Sequence, residues 1–444
     1  MRNIALTFLG CFTILAACSN SDDAEKPVAP IPTGDVTIYS TTNSLTRDLT
    51  RDAVNFSLKD NLAPTSITLN PTEQYQTMDG FGVAITGATC FNLLQMKPED
   101  RHAFLTETFS DGKGFGFSYI RISIGCSDFS LSEYTCCDKK GIENFALQSE
   151  EKEYILPILK EILDINPSIK IIAAPWTCPT WMKVKSLTDL TPFESWTNGQ
   201  LNPAYYQDYA TYFVKWVQAF NAEGIDIYAV TPQNEPLNRG NSASLYMSWE
   251  EQRDFVKTAL GPKFKTAGLA TKIYAYDHNY DYSDIETEKN YPGKMYEDPA
   301  ASQYLAGAAY HNYGGNREEL LNMHKAYPEK ELLFTETSIG TWNSGRDLSK
   351  RLLEDMKEVA LGTINNWCRG VIVWNLMLDN DRAPNREGGC QTCYGAVDIS
   401  NSDYKTIIRN SHYYIIAHLS SVVKPGAVPV SYTHLRAHET SLHL

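Results

Sequence analysis

Short apolar runs alternate with longer amphipathic stretches through the middle of the chain. The runs are rich in β-branched and aromatic residues, as buried strands are, and eight of them occur, at Gly80–Ile85, Tyr119–Ile124, Lys170–Pro175, Ile227–Pro232, Lys272–Tyr276, Ala308–Tyr310, Glu331–Phe334 and Gly370–Trp374. Apolar residues at three- and four-residue spacing predict helices between them, at Glu150–Asp164, Pro203–Glu223, Trp249–Ala267 and Gly345–Leu361. Eight strands that alternate with helices or long loops predict an α/β fold, a (β/α)8 TIM barrel, which we assign to residues 76–412.

A doubly wound sheet is the alternative fold for the same alternation. It calls for a Gly-x-Gly-x-x-Gly turn after a strand, but Gly80-Phe-Gly82 and Gly112-Lys-Gly114-Phe-Gly116 lack that spacing and are typical of turns. The barrel is therefore favoured. Before it, Val36–Tyr39 and Ser66–Leu69 predict strands, so residues 36–75 are expected to form a small side sheet.

The N-terminus has the pattern of a bacterial lipoprotein signal. Arg2 precedes an apolar run that ends in Leu15-Ala-Ala-Cys18 and is shorter than the roughly 20 residues of a membrane span. We therefore predict that residues 1–17 are removed and that Cys18 is lipidated, which would anchor the protein to the outer membrane, at the cell surface or the periplasmic face. Residues 18–35, with three prolines, are expected to be a linker. The alternative is an ordinary signal peptide with a chance cysteine.

The C-terminal segment 430–444 differs from the rest of the chain. It holds three of the nine histidines, and no strand or helix period fits it. It resembles the peptide encoded by a translated sequencing adaptor, so we predict a non-native tail in place of the natural C-terminus. The alternative interpretation, which we favour less, is that this segment is a metal-binding tail.

Net charge and composition limit the kinds of molecule that the protein is expected to bind. The chain carries 39 basic and 53 acidic residues, a net charge of −14, so contact with nucleic acid or anionic lipid headgroups through charge is disfavoured and a neutral substrate is expected. Its 26 Tyr, 17 Phe and 8 Trp would suit sugar rings, although most are expected in the core. The sequence leaves the oligomeric state open.

The cysteines favour a disulfide or free thiols over a metal. Cys390-Gln-Thr-Cys393 has the spacing of half a zinc site, but the vicinal pair Cys136-Cys137 does not supply the other half. In an extracytoplasmic protein the Cys390/Cys393 pair could close a short disulfide loop.

Polar and aromatic residues follow the predicted strands, and in a barrel these positions converge on one mouth. They are Arg121, Trp176, Asn234, Glu235, Asp277, His278, His311, Glu336 and Trp374. Glu235 follows the fourth strand and Glu336 the seventh, so the two face each other across the mouth. Two carboxylates that flank a glycosidic bond are what acetal hydrolysis requires, one as proton donor and one facing the anomeric carbon.

Five ordered motifs resemble glycoside hydrolase family 30, which contains glucosylceramidases and endo-β-1,6-glucanases. They are Met78-Asp-Gly-Phe-Gly82, Tyr119-Ile-Arg-Ile-Ser123, Ala174-Pro-Trp-Thr-Cys-Pro-Thr-Trp-Met182, Pro232-Gln-Asn-Glu-Pro236 and Trp374-Asn-Leu376. The resemblance, from about Val36 to about Pro429, implies a barrel with a β-sandwich built from both chain ends, residues 36–75 and 413–429. It also implies retaining chemistry with no metal or other cofactor.

On the same resemblance, Glu235 is the acid/base and Glu336 the nucleophile. The implied substrate-binding residues are Arg121, Asp128, Trp176, Asn234, His311, Tyr313 and Trp374. Because two carboxylates about 5 Å apart repel each other, one is expected to hold a proton. We predict that Glu235 is protonated and that Arg121 keeps Glu336 anionic.

The segment after the eighth strand bears on the substrate. Glucosylceramidases of this family commonly carry an aromatic residue where this chain has Arg386, and Gly388-Gly-Cys-Gln-Thr-Cys393 is similar to the β-glucanase members. We therefore predict an endo-β-1,6-glucanase, with glucosylceramidase or exo-β-glucosidase activity as the alternative. A non-catalytic surface glycan-binding lipoprotein, of a different class, would need the aromatic residues but not the carboxylate pair.

Overall fold

The structure is a computed structural model that describes residues 32–57, 67–281 and 285–434. The predicted signal peptide, Cys18, most of the predicted linker and residues 435–444 of the predicted tail lie outside the described residues. No helix in the described ranges has both the length and the apolar character needed to cross a bilayer. Near the N-terminus, strand Val36–Ser40 pairs with Thr50–Val54.

The predicted barrel is confirmed. Eight parallel strands close on one another in chain order, and each lies where a strand was predicted. They are β1 (Gly80–Ala84), β2 (Tyr119–Ser123), β3 (Lys170–Ala174), β4 (Ala229–Val230), β5 (Lys272–Asn279), β6 (Leu305–His311), β7 (Glu331–Glu336) and β8 (Cys368–Asn375).

The inside of the barrel is filled by side chains. One buried cluster takes a residue from each of seven strands: Tyr119, Ile172, Ala229, Tyr274, Ala309, Leu333 and Ile372. Small and large residues share the layer, as a closed eight-stranded barrel requires. The interior below the mouth is therefore a packed core, and the space for chemistry lies at the carboxyl ends of the strands.

Helical turns occur in each of the four stretches where helices were predicted, and further helices occur elsewhere in the described residues. The α-helices are Gly87–Gln95, Pro98–Phe109, Leu156–Ile165, Tyr206–Ala222, Trp249–Phe255, Gly261–Thr266, Tyr291–Tyr296, Pro299–Ser302, Glu318–Ala326, Leu348–Asp355, Gly362–Ile364 and Ser411–Val422. Short 3-10 turns occur at Ile142–Asn144, Thr180–Met182, Pro203–Tyr205, Glu286–Glu288 and Thr341–Asn343. Wider π-helical turns occur at Glu151–Ile155, Val256–Leu260 and Met356–Leu361. The first two turns end just before Pro157 and Pro262, which cannot donate the usual helical hydrogen bond.

The remaining strands form small sheets around the barrel. Lys183–Ser186 pairs with Asp189–Pro192 and Gln200–Leu201, Met377–Asp379 with Val397–Ile399 and then Ile407–Arg409, and Ile339–Gly340 with Cys393–Tyr394. Ile67–Gln74 pairs antiparallel with Val430–His434. This last sheet joins a segment before the barrel to one after it, and its second strand lies in residues predicted to be a non-native tail.

Two predictions for the C-terminal region are wrong in their local structure. Residues 413–429, expected to begin the second part of the sandwich, lie largely in helix Ser411–Val422, because Tyr413, Ile415 and Ile416 on that helix are buried in the main core. The tail was expected to contain no strand, yet Val430–His434 is one. Its valine, tyrosine and threonine favour extended backbone, and the edge of Ile67–Gln74 supplies hydrogen-bond partners.

Candidate active site

The two predicted catalytic carboxylates lie together at the mouth of the barrel. Glu336 is the last residue of β7, and Glu235 follows β4 on a loop where its φ is 42°. One oxygen of each carboxylate and a nitrogen of His311 lie within 4.8 Å of one another. Retaining glycosidases hold their carboxyl groups about 5–5.5 Å apart and inverting ones about 6.5–9.5 Å. The spacing therefore suits a covalent sugar intermediate.

Arg121, fully buried in β2, is the main partner of Glu336. Its Nη1 donates to Oε2 of Glu336 at 2.5 Å, and its Nη2 donates to Oδ1 of Asn234 at 2.7 Å and Oδ2 of Asp277 at 2.8 Å. Its Cζ lies 4.9 Å from the centre of the Trp176 ring. Burial lowers the pKa of Arg121, but the charges of Asp277 and Glu336 outweigh this and raise it. Arg121 is thus a permanent cation beside the nucleophile position.

His311 ends β6 and bridges two carboxylates. Its Nδ1 lies 3.2 Å from Oε1 of Glu235 and its Nε2 lies 3.1 Å from Oδ1 of Asp277. Both nitrogens can donate only when the ring is protonated. Burial lowers the pKa of His311, but the charge of Glu336 and the hydrogen bonds to Asp277 and Glu235 raise it to about 9. His311 is therefore a second buried cation at neutral pH.

Asp277 organises both cations and was not among the predicted site residues. The side chains that donate to it are Arg121, Thr231, His311 and Thr335. Burial raises the pKa of Asp277, but the charge of Arg121 and the hydrogen bond from His311 lower it far below its usual range. A bulge in β5 between Tyr276 and His278, with φ values of 73° and 68° at Tyr276 and Asp277, accompanies this placement. Its position at a strand end was the available sequence signal.

The pKa values of the two glutamates are shifted in opposite directions. Burial raises the pKa of Glu235, but the hydrogen bond from His311, the charges of His278 and His311 and the Asn238 amide, 2.7 Å away, lower it to about 2. Burial raises the pKa of Glu336, and the charge of Glu235 adds to this against the effects of His311 and Arg121. The prediction that Glu235 holds the proton took into account the positive charge of Arg121 but not that of His311.

The other predicted substrate-binding residues surround the pair. The Tyr313 hydroxyl donates to Oε1 of Glu336 at 2.9 Å. The rings of Trp176 and Trp374 stack with their centres 5.3 Å apart. Asp128 is buried, and desolvation followed by the charges of Glu336 and Glu235 raises its pKa to about 7. The structure thus brings together all nine predicted site residues.

A cavity of about 520 Å³ opens over these groups. Its wall includes the predicted residues Asp128, Glu235, Tyr313, Glu336 and Trp374, and also Asn238, Asn241, His278, Asn279, Ser338, Trp342 and parts of the loop 388–393. Sequence reasoning gave Trp342 and the asparagines no role, because Trp342, Asn238 and Asn241 lie beyond the barrel strands and Asn279 lies past the predicted end of β5.

Arg386 and a disulfide secure one side of the cavity. The Nη2 of Arg386 donates to the carbonyl oxygens of Ser127 and Ser242 at 2.6 and 2.7 Å. Cys390 and Cys393 form a disulfide, which is one of the two alternatives that the spacing allowed. The other six cysteines of the described ranges are free and buried. The loop after β8 is therefore held by hydrogen bonds to neighbouring loops and by its own disulfide.

The side chains around the carboxylate pair also include potential metal ligands. Among the described residues, one group of three side chains could meet a metal ion: Glu235, His311 and Glu336. A metal would have to displace the proton of His311 and its hydrogen bonds to two carboxylates, because a histidine ligand binds in its neutral form. The arrangement suits proton transfer and charge stabilisation by the side chains themselves.

A closed (β/α)8 barrel with two close carboxylates in a polar and aromatic cavity at its mouth defines the class as a glycoside hydrolase. Residues 78–423 match the glycosyl hydrolase family 30 TIM-barrel domain. The chain belongs to that family, so the resemblance seen in its motifs is confirmed.

Three proteins illustrate what this chain is similar to. The chain is 32% identical over 379 residues to the endo-1,6-beta-D-glucanase BGN16.3 of Trichoderma harzianum, covering 81% of this chain and 72% of the relative. It is 27% identical over 433 residues to the putative glucosylceramidase 4 of Caenorhabditis elegans, covering 92% and 79%. It is 87% identical to the solved structure of the endo-beta1,6-glucanase BT3312, with a TM-score of 0.89, over 90% of this chain and 87% of that chain.

Proposed function

We propose that this protein is an endo-acting β-1,6-glucanase that cleaves by double displacement. The observation that carries the chemistry is the Glu235–Glu336 pair, whose oxygens lie within 4.8 Å of each other at the mouth of the barrel. The linkage is supported by the 87% identity to an endo-beta1,6-glucanase of known structure. The substrate would be an uncharged glucan, which suits a protein of net charge −14.

Charge balance explains how the pair can work in a buried site. Arg121 and His311 supply two positive charges, while Asp277, Glu235 and Glu336 are three carboxyl groups. One proton on the glutamate pair therefore makes the cluster neutral. A bound glucan puts its glycosidic oxygen at Glu235 and its anomeric carbon at Glu336. Donors on Glu336 and positive charge developing on the sugar then favour the proton on Glu235.

In the first step Glu336 attacks the anomeric carbon while Glu235 protonates the departing oxygen. Arg121 and Tyr313, both hydrogen-bonded to Glu336, aim its carboxylate. The oxygen of Asn234 is held by Arg121, so its amide nitrogen is left to bind the sugar 2-hydroxyl. Asp128, Trp176 and Trp374 would enclose the same sugar.

In the second step the charge of Glu336 has been consumed in the glycosyl ester. The pKa of Glu235 is then governed by His311 and Asn238, which favour its anion. Glu235 can therefore take a proton from water, which attacks the anomeric carbon and releases a sugar of unchanged anomeric configuration. One residue thus serves as acid and then as base.

The product profile on β-1,6-glucan tests the proposal. Endo cleavage releases oligosaccharides of many sizes early, and proton NMR of the first products should show the β-anomer. Glucose as the sole early product would replace the proposal by an exo-β-glucosidase. Glucosylceramide should be tested in parallel, because the putative glucosylceramidase 4 of Caenorhabditis elegans is 27% identical to this chain; faster turnover of it would also overturn the proposal.

We further propose that Cys18 carries lipid and holds the protein on the bacterial outer membrane. The support is the sequence Leu15-Ala-Ala-Cys18 after a short apolar run. Expression with a radiolabelled fatty acid should label the wild type and not Cys18→Ala, and the variant should leave the membrane fraction. Equal labelling of both would reject this site.

A further inference from the structure

Trp342 stands apart from the other tryptophans of the protein. It is 54% exposed, whereas the other seven, all in the described residues, are buried or half-buried. It lies on the wall of the same cavity as Glu235 and Glu336. A large apolar ring left open to a cavity in this way is typical of a binding surface.

The ring of Trp342 is seated on the backbone of its own loop. A Cβ at Gly340 would overlap Cζ3 and Cε3 of the indole, so the ring can lie there only because position 340 is glycine. The Gly340 N–H donates to Oδ1 of Asn343 at 3.0 Å, and the Thr341 N–H donates to the carbonyl oxygen of Thr392 at 3.0 Å. The ring is therefore positioned before any ligand arrives, which lowers the entropy cost of binding.

The neighbouring loops define the surroundings of Trp342 in the cavity. Ile339–Gly340 pairs with Cys393–Tyr394, which begins at the disulfide-bonded Cys393 in the cavity wall. Asn238 and Asn241 also line the cavity and belong to the loop that follows Glu235, and Asn238 is hydrogen-bonded to Glu235 itself. Trp342, Asn238 and Asn241 therefore line the same cavity as the proposed proton donor.

The chemistry of these side chains suits a pyranose ring. A sugar in this position offers an apolar face of C–H groups and a rim of hydroxyls, and an indole face complements the former. The asparagine amides nearby offer donors and acceptors for the latter. Asp128 and Trp374, in contrast, border the space assigned to the reacting sugar.

We propose that Trp342 is the stacking platform of a second sugar subsite, which binds the uncharged hexosyl unit on the leaving-group side of the scissile bond. The proposal rests on the proposed function, since it assumes that Glu235 is the acid. Its role is binding and specificity rather than bond cleavage. It predicts that Trp342 matters only for substrates with a sugar as leaving group.

The test compares β-1,6-glucan with β-glucosyl fluoride, which has no leaving sugar. Trp342→Ala should lower kcat/KM on the glucan about 10- to 100-fold, the range for truncating a binding tryptophan, and should affect the fluoride at least about tenfold less. Trp342→Phe keeps an aromatic face and should recover most of the glucan activity. In a Glu336→Gln background, Trp342→Ala should also weaken the binding of a β-1,6-linked trisaccharide in calorimetry.

Trp367→Ala is the matched control. Trp367 is half-buried beside a separate cavity with Arg369, where it stacks on His324, so its removal should not change the ratio of activities on the two substrates. Equal losses on glucan and fluoride in Trp342→Ala, or no loss on either, would overturn the proposal. If the wild type instead ignores β-1,6-glucan but cuts another glycan, the proposed function fails, and the same ratio measured on that glycan still decides the role of Trp342.

Discussion

Replacing Asp277 by asparagine removes the anion that joins the two buried cations of the site. Asp277 is fully buried and contacts both Arg121 and His311. The asparagine amide has nearly the same shape, so the packing is kept. Arg121 then has Glu336 as its one remaining carboxylate partner, and His311 has Glu235. Breaking a buried ion pair on one side costs about 3–5 kcal/mol, so we expect a loss of that order in the free energy of unfolding at pH 6.

The pH dependence of stability gives the sharper signature. The pKa of His311 is raised to about 9 in the folded protein, against its ordinary value of 6.5. This raised pKa contributes stability that is fully present below pH 6.5 and is lost as the pH rises through about 9. At 1.36 kcal/mol per pK unit the contribution is about 3 kcal/mol. Asp277→Asn should lower the pKa of His311, so less stability should be lost between pH 6 and pH 9.5.

Denaturant unfolding at a series of pH values between 6 and 9.5 measures this. Asp355→Asn is the control: Asp355 is also fully buried with an arginine partner, Arg351, but lies 3.9 Å from His412, whose pKa burial lowers to about 4. The control should lose stability and keep the wild-type pH dependence. If Asp277→Asn also keeps it, His311 is not held protonated by Asp277, and the charge balance proposed for the site is wrong.

Three further predictions concern the loops and the acid. Arg386→Ala should lower the free energy of unfolding by about 1.5–3 kcal/mol, measured by denaturant titration, because a part-buried charge-assisted hydrogen-bond partner of Ser127 and Ser242 is lost. Reduction of the Cys390–Cys393 disulfide should cost about 2 kcal/mol of stability, since the closed loop is short, and a double serine variant should not respond to the reductant. Glu235→Ala should lose about 10²–10⁴-fold in kcat/KM on glucan and far less on activated aryl glucosides; equal losses would contradict its role as acid.

The barrel was predictable because each of its strands is a local signal. Runs such as Lys170–Ala174 and Glu331–Glu336 are apolar, β-prone and bounded by helices, and eight of them leave few alternative topologies. The hydrophobic pattern was less informative where tertiary contacts determine the secondary structure. Ser411–Val422 could not be recognised as a helix from its expected place in a sandwich, and Val430–His434 forms a strand because the edge of Ile67–Gln74 accepts it.

The site was predictable as a set of positions but not as an electrostatic system. Glu235 and Glu336 followed from strand ends and motifs. The role of Asp277 depends on a bulge in β5, and the charge of His311 depends on two carboxylates, one from β5 and one from the loop after β4. Such contacts set the pKa shifts of the two glutamates, and the prediction that Glu235 holds the proton did not include the charge of His311.

Trapping the covalent intermediate tests the central claim most directly. A 2-deoxy-2-fluoro-β-glucoside with a good leaving group slows the second step more than the first, so the glycosyl-enzyme should accumulate. Mass spectrometry of the protease-digested protein should place one fluoroglucosyl group on Glu336, and the Glu336→Gln variant should take up none. A label on Glu235 or on a residue outside the barrel mouth, or an α-anomer as first product of the unlabelled enzyme, would contradict the account.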